Sequence, residues 1–268
     1  MARYVIGDIQ GCYASLMELL AKINFNPSVD VIYLVGDLVN RGPESLKVLK
    51  WAYKHQDSLI TVLGNHDIYL LARYNNLLKP DEDETIQDIL LYKDAAKLID
   101  WLRHRPLVFH DANYILAHAG VYPRLDFNKL LVLNNAITNH LQANDYPSFI
   151  AKIYGNKPNH WNKELDMLQQ MKFVINSCTR MRYLNTHDYS LDYKFKGEIA
   201  NQPQGLIPWF KVEFDPTINK KILFGHWAVL GFYHDSKFIS LDTGCAWGRK
   251  LTALNLENYE IAQVYCQK

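Results

Sequence analysis

Cysteine is scarce and unpatterned here: four residues, at 12, 178, 245 and 266 of 268, with no C-x-x-C pair and no zinc-ligand spacing. That argues against a disulfide-stapled scaffold and against a local zinc finger. Reduced thiols, no disulfide-linked partner and a cytoplasmic setting are expected, since a strand-like run begins within a few residues of Met1 and no secretory leader precedes it. Neither sign of charge is in excess. With 29 Lys and Arg against 28 Asp and Glu the net charge is +1, so the chain lacks the basic surplus of nucleic-acid binders and must hold any anionic ligand locally. No apolar run reaches the roughly 18 residues of a membrane span, so no membrane partner is expected. Internal repeats and low-complexity tracts are also missing. What is present is 49% hydrophobic content, enough for a substantial core.

Three polar islands stand out, each behind a strand-like apolar run: GDIQG at 7–11, GDLVNRG at 36–42 and GNHD at 64–67. The runs YVI, VIYLV and LITVL have the length and β-rich composition of buried strands. Between the first two, Leu16, Leu19, Leu20 and Ile23 fall at i, i+3, i+4 and i+7, one apolar helix face. The second gap repeats this more weakly with Leu46, Leu49 and Tyr53, and Pro43 near the start. The unit is β-α-β-α-β. Its right-handed crossovers bring the strand C-termini to one edge, so Asp8, Asp37 and Asn65 should converge there.

Acidic PDEDE at 80–84 is expected as solvated surface, followed by an amphipathic helix marked by Leu91, Ala95, Leu98 and Leu102 and ending near Arg103. LVFH and NYILAH read as a hairpin with His118 at its end. From about 124 to 215 the texture turns helical and loop-rich, expected as a cap inserted over the site within a single domain spanning 1–268. Strands resume at Lys221–Phe224, which ends at Gly225 and His226, then at 238–241, 251–254 and 261–265.

These residue types suit a two-metal phosphoester hydrolase. A pair of divalent cations clamps a phosphoryl group, lowers the pKa of water and stabilises entering and leaving oxygens. Asp37, on the middle turn, is the expected bridge; Asp8 with Gln10 would hold one ion, and Asn65, His118 and His226 the other. Oxygen-rich ligation with two imidazoles suits Mn²⁺, Fe²⁺ or Zn²⁺ better than calcium. Two cations against two ligating aspartates leave roughly +2 for phosphate oxygens. Arg41 can add a bidentate fork, and His66 could protonate the leaving oxygen, with Asp67 beside it also a catalytic candidate. Each residue alone has a bland role: an aspartate after a strand is usually a turn former, Asn65 could cap a helix, and a single histidine is more often structural. Three islands in order, followed by two strand-end histidines at βαβ spacing, are harder to produce by chance.

At these residues the chain resembles the phosphoprotein phosphatase superfamily of metallophosphoesterases, whose pattern is GDxHG, GDxVDRG, GNHE and two later histidines. GDIQGC, GDLVNRGP, GNHDIYLLA, AHAGVYP at 117–123, TRMR at 179–182, FGHWA at 224–228 and LDTGCAWGRKLT at 241–252 narrow the likeness to the bacterial symmetrical diadenosine tetraphosphate hydrolases, over nearly the whole length. The resemblance implies an α/β metallophosphatase fold, a two-sheet β-sandwich flanked by helices with a helical cap. It also implies cleavage of diadenosine tetraphosphate into two ADP, with two divalent ions, Mn²⁺ or Co²⁺, as activators. Arg180, Arg182, Tyr183, Trp209, Trp227 and Trp247 are then the residues offered for the outer phosphates and adenines, although most aromatics must serve packing.

Two departures matter. Gln10 replaces a histidine ligand, and an amide oxygen serves later transition metals less well, so this ion is expected to be the looser one and to favour Mn²⁺. Asn40 replaces the aspartate that supports the acid histidine in protein phosphatases, which leaves His66 less able to carry a proton. Three rivals remain open: a protein serine/threonine phosphatase, removal of nucleoside-tetraphosphate caps from RNA 5′ ends, and a non-catalytic nucleotide sensor whose first metal site has decayed.

Overall fold

The structure is a computed structural model that describes residues 1–214 and 218–267. In chain order its strands are β1 (Arg3–Ile6), β2 (Val31–Leu34), β3 (Leu59–Thr61), β4 (Val108–His110), β5 (Tyr114–Ala117), β6 (Tyr183–Asn185), β7 (Leu191–Asp192), β8 (Leu206–Pro208), β9 (Lys221–Phe224), β10 (Tyr233–His234), β11 (Phe238–Ser240), β12 (Lys250–Asn255) and β13 (Ile261–Tyr265). The helices are α1 (Tyr13–Lys22), α2 (Ser45–Lys54), α3 (Asn65–Tyr74), α4 (Gln87–Leu90), α5 (Ala95–Arg103), α6 (Phe127–Gln142), α7 (Tyr146–Ile153) and α8 (Met167–Arg180).

Two five-stranded sheets form a sandwich, in the orders β13-β12-β1-β2-β3 and β10-β11-β9-β5-β4. Strand alternation explains the layers, because successive side chains point to opposite faces. Val5, Tyr33 and Leu254 of the first sheet meet Tyr114, Leu116, Leu223 and Ile239 of the second in one buried cluster. Their neighbours Ile6, Ile32 and Leu34 instead join the larger core with the helices. Each such aliphatic side chain contributes about 1.5 to 3 kcal/mol by leaving water.

The parallel pairings decide where the chemistry lies. In the first sheet β1 runs parallel to β2 and β2 to β3; in the second β5 runs parallel to β9 and β9 to β11. Six strands therefore end along one edge of the sandwich. Between β5 and β9 the chain leaves to build α6, α7, α8 and a small antiparallel sheet, β7-β6-β8. This stretch is thus less purely helical than its sequence suggested, and the expected boundary at Asp215 lies outside the described residues. No helix among the described residues is long and apolar enough to cross a membrane.

Local expectations fare unevenly. Helix α1 buries Leu16 and Leu19 as anticipated. Helix α2 is rotated from the expected stripe: Ser45, Val48, Leu49 and Ala52 face the core, while Leu46 and Tyr53 flank it. Leu91 precedes α5 and is 76% exposed, because α5 begins only at Ala95. Within the acidic loop, Asp81, Glu82 and Asp83 are exposed, but the Glu84 side chain is only 6% exposed and meets Arg73 at 2.6 Å. Tyr69 Oη also donates to Glu84, at 2.6 Å. Burial by itself would raise the Glu84 carboxyl, yet hydrogen bonds from Arg73 and Tyr69 hold it below its ordinary 4.5.

Because that folded pKa is depressed, the stability it contributes is present above pH 4.5 and is lost as pH falls through the lower folded value. Glu84→Gln should therefore destabilise the protein by about 1 kcal/mol at pH 7, measured by denaturant unfolding. The gap to wild type should close in acid; a gap that stays constant with pH would contradict the pairing.

Candidate metal centre

Every strand ending on the shared edge delivers a polar residue within a few positions. Asp8 follows β1, Asp37 follows β2, Asn65 follows β3, His118 follows β5, His226 follows β9 and Asp242 follows β11. The turns that carry them are unusual. Gln10, Asp37, Asn40, Arg41 and His226 all have positive φ, between 45° and 75°. Non-glycine residues adopt this region only where the surroundings impose it, and such strain gathers at functional sites. Two glycines make room: a Cβ on Gly64 would lie 2.1 Å from Asp37 Oδ1, and one on Gly225 would lie 1.9 Å from Asp8 Oδ1.

Asp37 sits at the centre. Its Oδ1 accepts the His66 backbone N–H at 2.8 Å, while Oδ2 lies 3.3 Å from His118 Nε2 and 3.1 Å from Gln10 Nε2. Asp8 accepts the His226 backbone N–H at 3.2 Å. One end of the Asn65 amide lies 3.2 Å from His118 Nε2, 2.9 Å from His226 Nδ1 and 3.0 Å from the Thr179 carbonyl. Ligand atoms of Asp37, His118 and His226 all fall within 4.8 Å of one another.

This set fits a metal ion on structural grounds. His226 Nδ1 and His118 Nε2 lie 2.9 and 3.2 Å from the same end of the Asn65 amide, converging lone pairs that a coordinated cation would satisfy. His118 Nδ1 lies 2.9 Å from the Val35 carbonyl, which fixes the ring and leaves Nε2 aimed into the cluster. The electrostatics agree. Burial and the neighbouring Asp242 push Asp8 well above the usual carboxylate range. Burial would do the same to Asp37, but His118 and His66 hold it below that range. Burial lowers His118, yet Asp37 and Asp8 win and bring it up to about 9. Negative charge is in surplus at this edge.

Above it lies a cavity of about 600 Å³. Gln10, Asp37, Asn65, His66, His226 and Asp242 face it from the strand edge, whereas Asp8 and His118 lie beneath, at 3% and 0% exposure. The walls carry Arg41, Arg180, Arg182 and Lys196, four cations. Arg182 donates to the His226 carbonyl at 2.7 Å, and burial lowers its guanidinium to about 10 against the pull of Asp242 and Asp8. Arg180 is stacked 4.8 Å over Tyr193. Arg41 reaches Asp83 at 3.4 Å, which ties the acidic loop to the rim.

Several expected residues stand elsewhere. Asp67 lines no part of the cavity: its carboxylate accepts backbone N–H groups of Asp37 (2.8 Å), Leu38 (3.0 Å) and Gly64 (2.8 Å). Burial pushes it up to about 7, and those amides work to keep it ionised. Its place is to brace the Asp37 turn and cap α3. Trp209 is fully buried among Phe210, Phe224 and Phe238, and Tyr183 is spent on the Gly197 carbonyl; neither reaches the cavity. Trp227 and Trp247 do, the latter 62% exposed at the rim. Sequence reasoning missed Asp242, Tyr154 and Tyr193. Asp242 carried a usable signal, since LDTG at 241–244 repeats the strand-then-Asp turn of the first two islands.

His66 is set by Asn40. The Asn40 Oδ1 accepts N–H from Arg41 (2.9 Å) and Thr85 (3.0 Å), so the amide nitrogen must face His66 Nδ1, at 3.0 Å. Donation to Nδ1 requires that nitrogen to be unprotonated. Burial first, then Arg41, lowers His66 further despite nearby Asp37.

The fold and the site define a metal-dependent phosphoesterase. Residues 1–230 match the calcineurin-like phosphoesterase model, and the chain belongs to that family, whose members use divalent metal ions. Within it, the chain is 42% identical over 266 residues to the bis(5'-nucleosyl)-tetraphosphatase, symmetrical, of Methylobacillus flagellatus, covering 99% of this chain and 96% of that one. The protein of the same name from Neisseria meningitidis is 43% identical over 264 residues, covering 98% and 95%. Among solved structures, a diadenosine tetraphosphatase candidate superposes with a TM-score of 0.66 at 23% identity, covering 100% of this chain and 94% of that one. A protein serine/threonine phosphatase from Saccharomyces cerevisiae gives 0.53 at 12%, covering 100% and 80%. Those two likenesses speak for the fold.

Asp67→Asn would turn an amide N–H₂ toward backbone donors and release the Asp37 turn. Affinity for Mn²⁺, measured by calorimetry, should fall about 10- to 100-fold. A loss of turnover with unchanged metal affinity would instead make Asp67 a direct proton carrier.

Proposed function

We propose that this protein hydrolyses diadenosine 5',5'''-P1,P4-tetraphosphate into two ADP at a dinuclear divalent-metal centre, with Mn²⁺ as activator and Co²⁺ able to replace it. The observation that carries this reading is one cavity with a ligand-rich floor of Asp37, Asn65, His226 and Asp242, anionic through its two aspartates, and cationic walls of Arg41, Arg180, Arg182 and Lys196. Such a floor asks for metal ions, and such walls ask for a ligand with more phosphates than one. The names of the full-length relatives support the same substrate class.

In this reading Asp8 and Gln10 would hold one ion, Asn65, His118 and His226 the other, and Asp37 would serve both. When bound, the pair would activate water and neutralise phosphoryl charge. Arg41 clamps the attacked phosphoryl group, while Arg180 and Arg182 take flanking phosphates. The segment from about 124 to 215 serves as a cap within a single domain, and Tyr154, Tyr193 and Trp247 offer faces to the bases. We place the protein in the cytoplasm, in keeping with four free thiols.

A neutral His66 suits this substrate. Departing ADP carries a terminal phosphate whose last proton ionises at roughly pH 6, so it leaves as an anion without help. An alkoxide does not. The Asn40 amide, by favouring unprotonated Nδ1, tunes the site toward anhydrides.

Incubated with the tetraphosphate, the protein should release ADP as its one nucleotide product, stop with chelator and recover with Mn²⁺; AMP plus ATP would refute central cleavage. Arg41→Ala should lower kcat about 100-fold. The kcat/KM for an alkyl phosphoester such as a phosphoserine peptide should be far below that for the tetraphosphate. Asn40→Asp, which places a carboxylate on His66 Nδ1, should raise the His66 pKa by about 1 unit or more and narrow that ratio; an unchanged ratio would remove Asn40 from the account.

A further inference from the structure

Beside the phosphate cavity, three thiols from distant parts of the chain meet. Cys12 precedes the first turn of α1, Cys245 opens the 3-10 turn Cys245–Trp247, and Cys266 follows β13. Their Sγ atoms all lie within 4.8 Å of one another, with Cys12 and Cys245 buried and Cys266 half-buried. All four cysteines of the protein are free, and the fourth, Cys178, is buried separately in α8. Bonds to backbone are long, with Cys12 Sγ 3.9 Å from the Gln10 carbonyl and Cys266 Sγ 3.7 Å from the Gln267 carbonyl, and the thiols otherwise bond to one another and to Ser15.

A cation with thiolates at about 2.3 Å requires Sγ atoms about 4 Å apart, so the observed spread closes with about 1 Å of movement or less. Cys266, half-buried where Cys12 and Cys245 are buried, is the least enclosed of the three. We propose that Cys12, Cys245 and Cys266 form a trithiolate site for a thiophilic d¹⁰ cation, Zn²⁺ or Cu⁺. Three thiols give up three protons to solvent on coordination, with no change of oxidation state. Soft sulfur ligands select these ions over Mn²⁺, so the site is chemically distinct from the oxygen- and imidazole-rich centre.

Its position gives it a role. Cys12 lies two residues past Gln10, and Cys245 three past Asp242, on the turn that ends with Trp247 at the cavity rim. Cys266 N–H donates to the Arg249 carbonyl at 2.8 Å, and Arg249 N–H to Gly244 at 3.1 Å. An ion here staples the last strand to two of the turns that shape the catalytic edge. Sequence reading passed over it because the three positions share no spacing.

The test uses full-length, reduced protein kept saturated with Mn²⁺, titrated separately with Cd²⁺, a spectroscopic probe for zinc, and with Cu⁺. A thiolate-to-metal charge-transfer band saturating at one equivalent per chain is expected with at least one of the two. Cys266→Ser should weaken that binding about 10- to 100-fold, while Cys178→Ala leaves it intact. Loading should raise Tm in wild type and not in Cys266→Ser. Binding by Cd²⁺ would assign a zinc-type site, and by Cu⁺ alone a cuprous one. Uptake without the band, or a band that survives Cys266→Ser, overturns the proposal.

Discussion

Crowded negative charge in a dry place is the constraint on which this molecule depends. Asp8, Asp37, Asp67 and Asp242 are each at most 4% exposed and stand close enough to perturb one another. Buried carboxylates repel and lose hydration, and they persist only with partners. Two partners are internal: His118, pulled up to about 9, and Arg182. Asp242, which burial lifts to about 6, and Asp8 still leave an anionic surplus. A site of this kind is a cation trap first and a catalyst as a consequence.

The sandwich makes that crowding affordable through backbone rather than side chains. Parallel strands in both sheets end together, and their turns present N–H groups to the carboxylates: His66 to Asp37, His226 to Asp8, and Asp37, Leu38 and Gly64 to Asp67. Left-handed residues in those turns store strain that the two cores around them absorb. Rigid strand ends then hold the donor set without relying on flexible loops.

Opposite signs are layered across the cavity. Carboxylates and imidazoles occupy the floor and arginines the walls, so a polyanion with bound cations finds attraction on both sides. His66, beside the Asn40 amide and lowered by burial, is held toward its neutral form within the same layout.

Much of this was legible in the one-dimensional string. Short-range rules governed it: apolar runs of strand length, helix spacing between them, and a Gly-Asp or Gly-Asn turn after each. These mark β1, β2, β3, α1 and the strand-end positions of Asp8, Asp37, Asn65, His118 and His226, because backbone geometry is a local property of a few residues. The α2 face was misjudged because Leu46 and Val48 are equally apolar, and only packing chooses between them. Asp67, a neighbour of His66, became a brace because its side chain points at the Asp37 turn 30 positions away. Likewise Trp209 went to the core and Tyr154 and Tyr193 to the cavity, and nothing in their flanking residues distinguishes them. Local sequence determined which strands and turns exist and which residue types stand at their ends. Tertiary structure alone decided which side chains face the cavity, which support from beneath, and that Cys12, Cys245 and Cys266 would meet, since burial and long-range contact depend on the packing of distant segments.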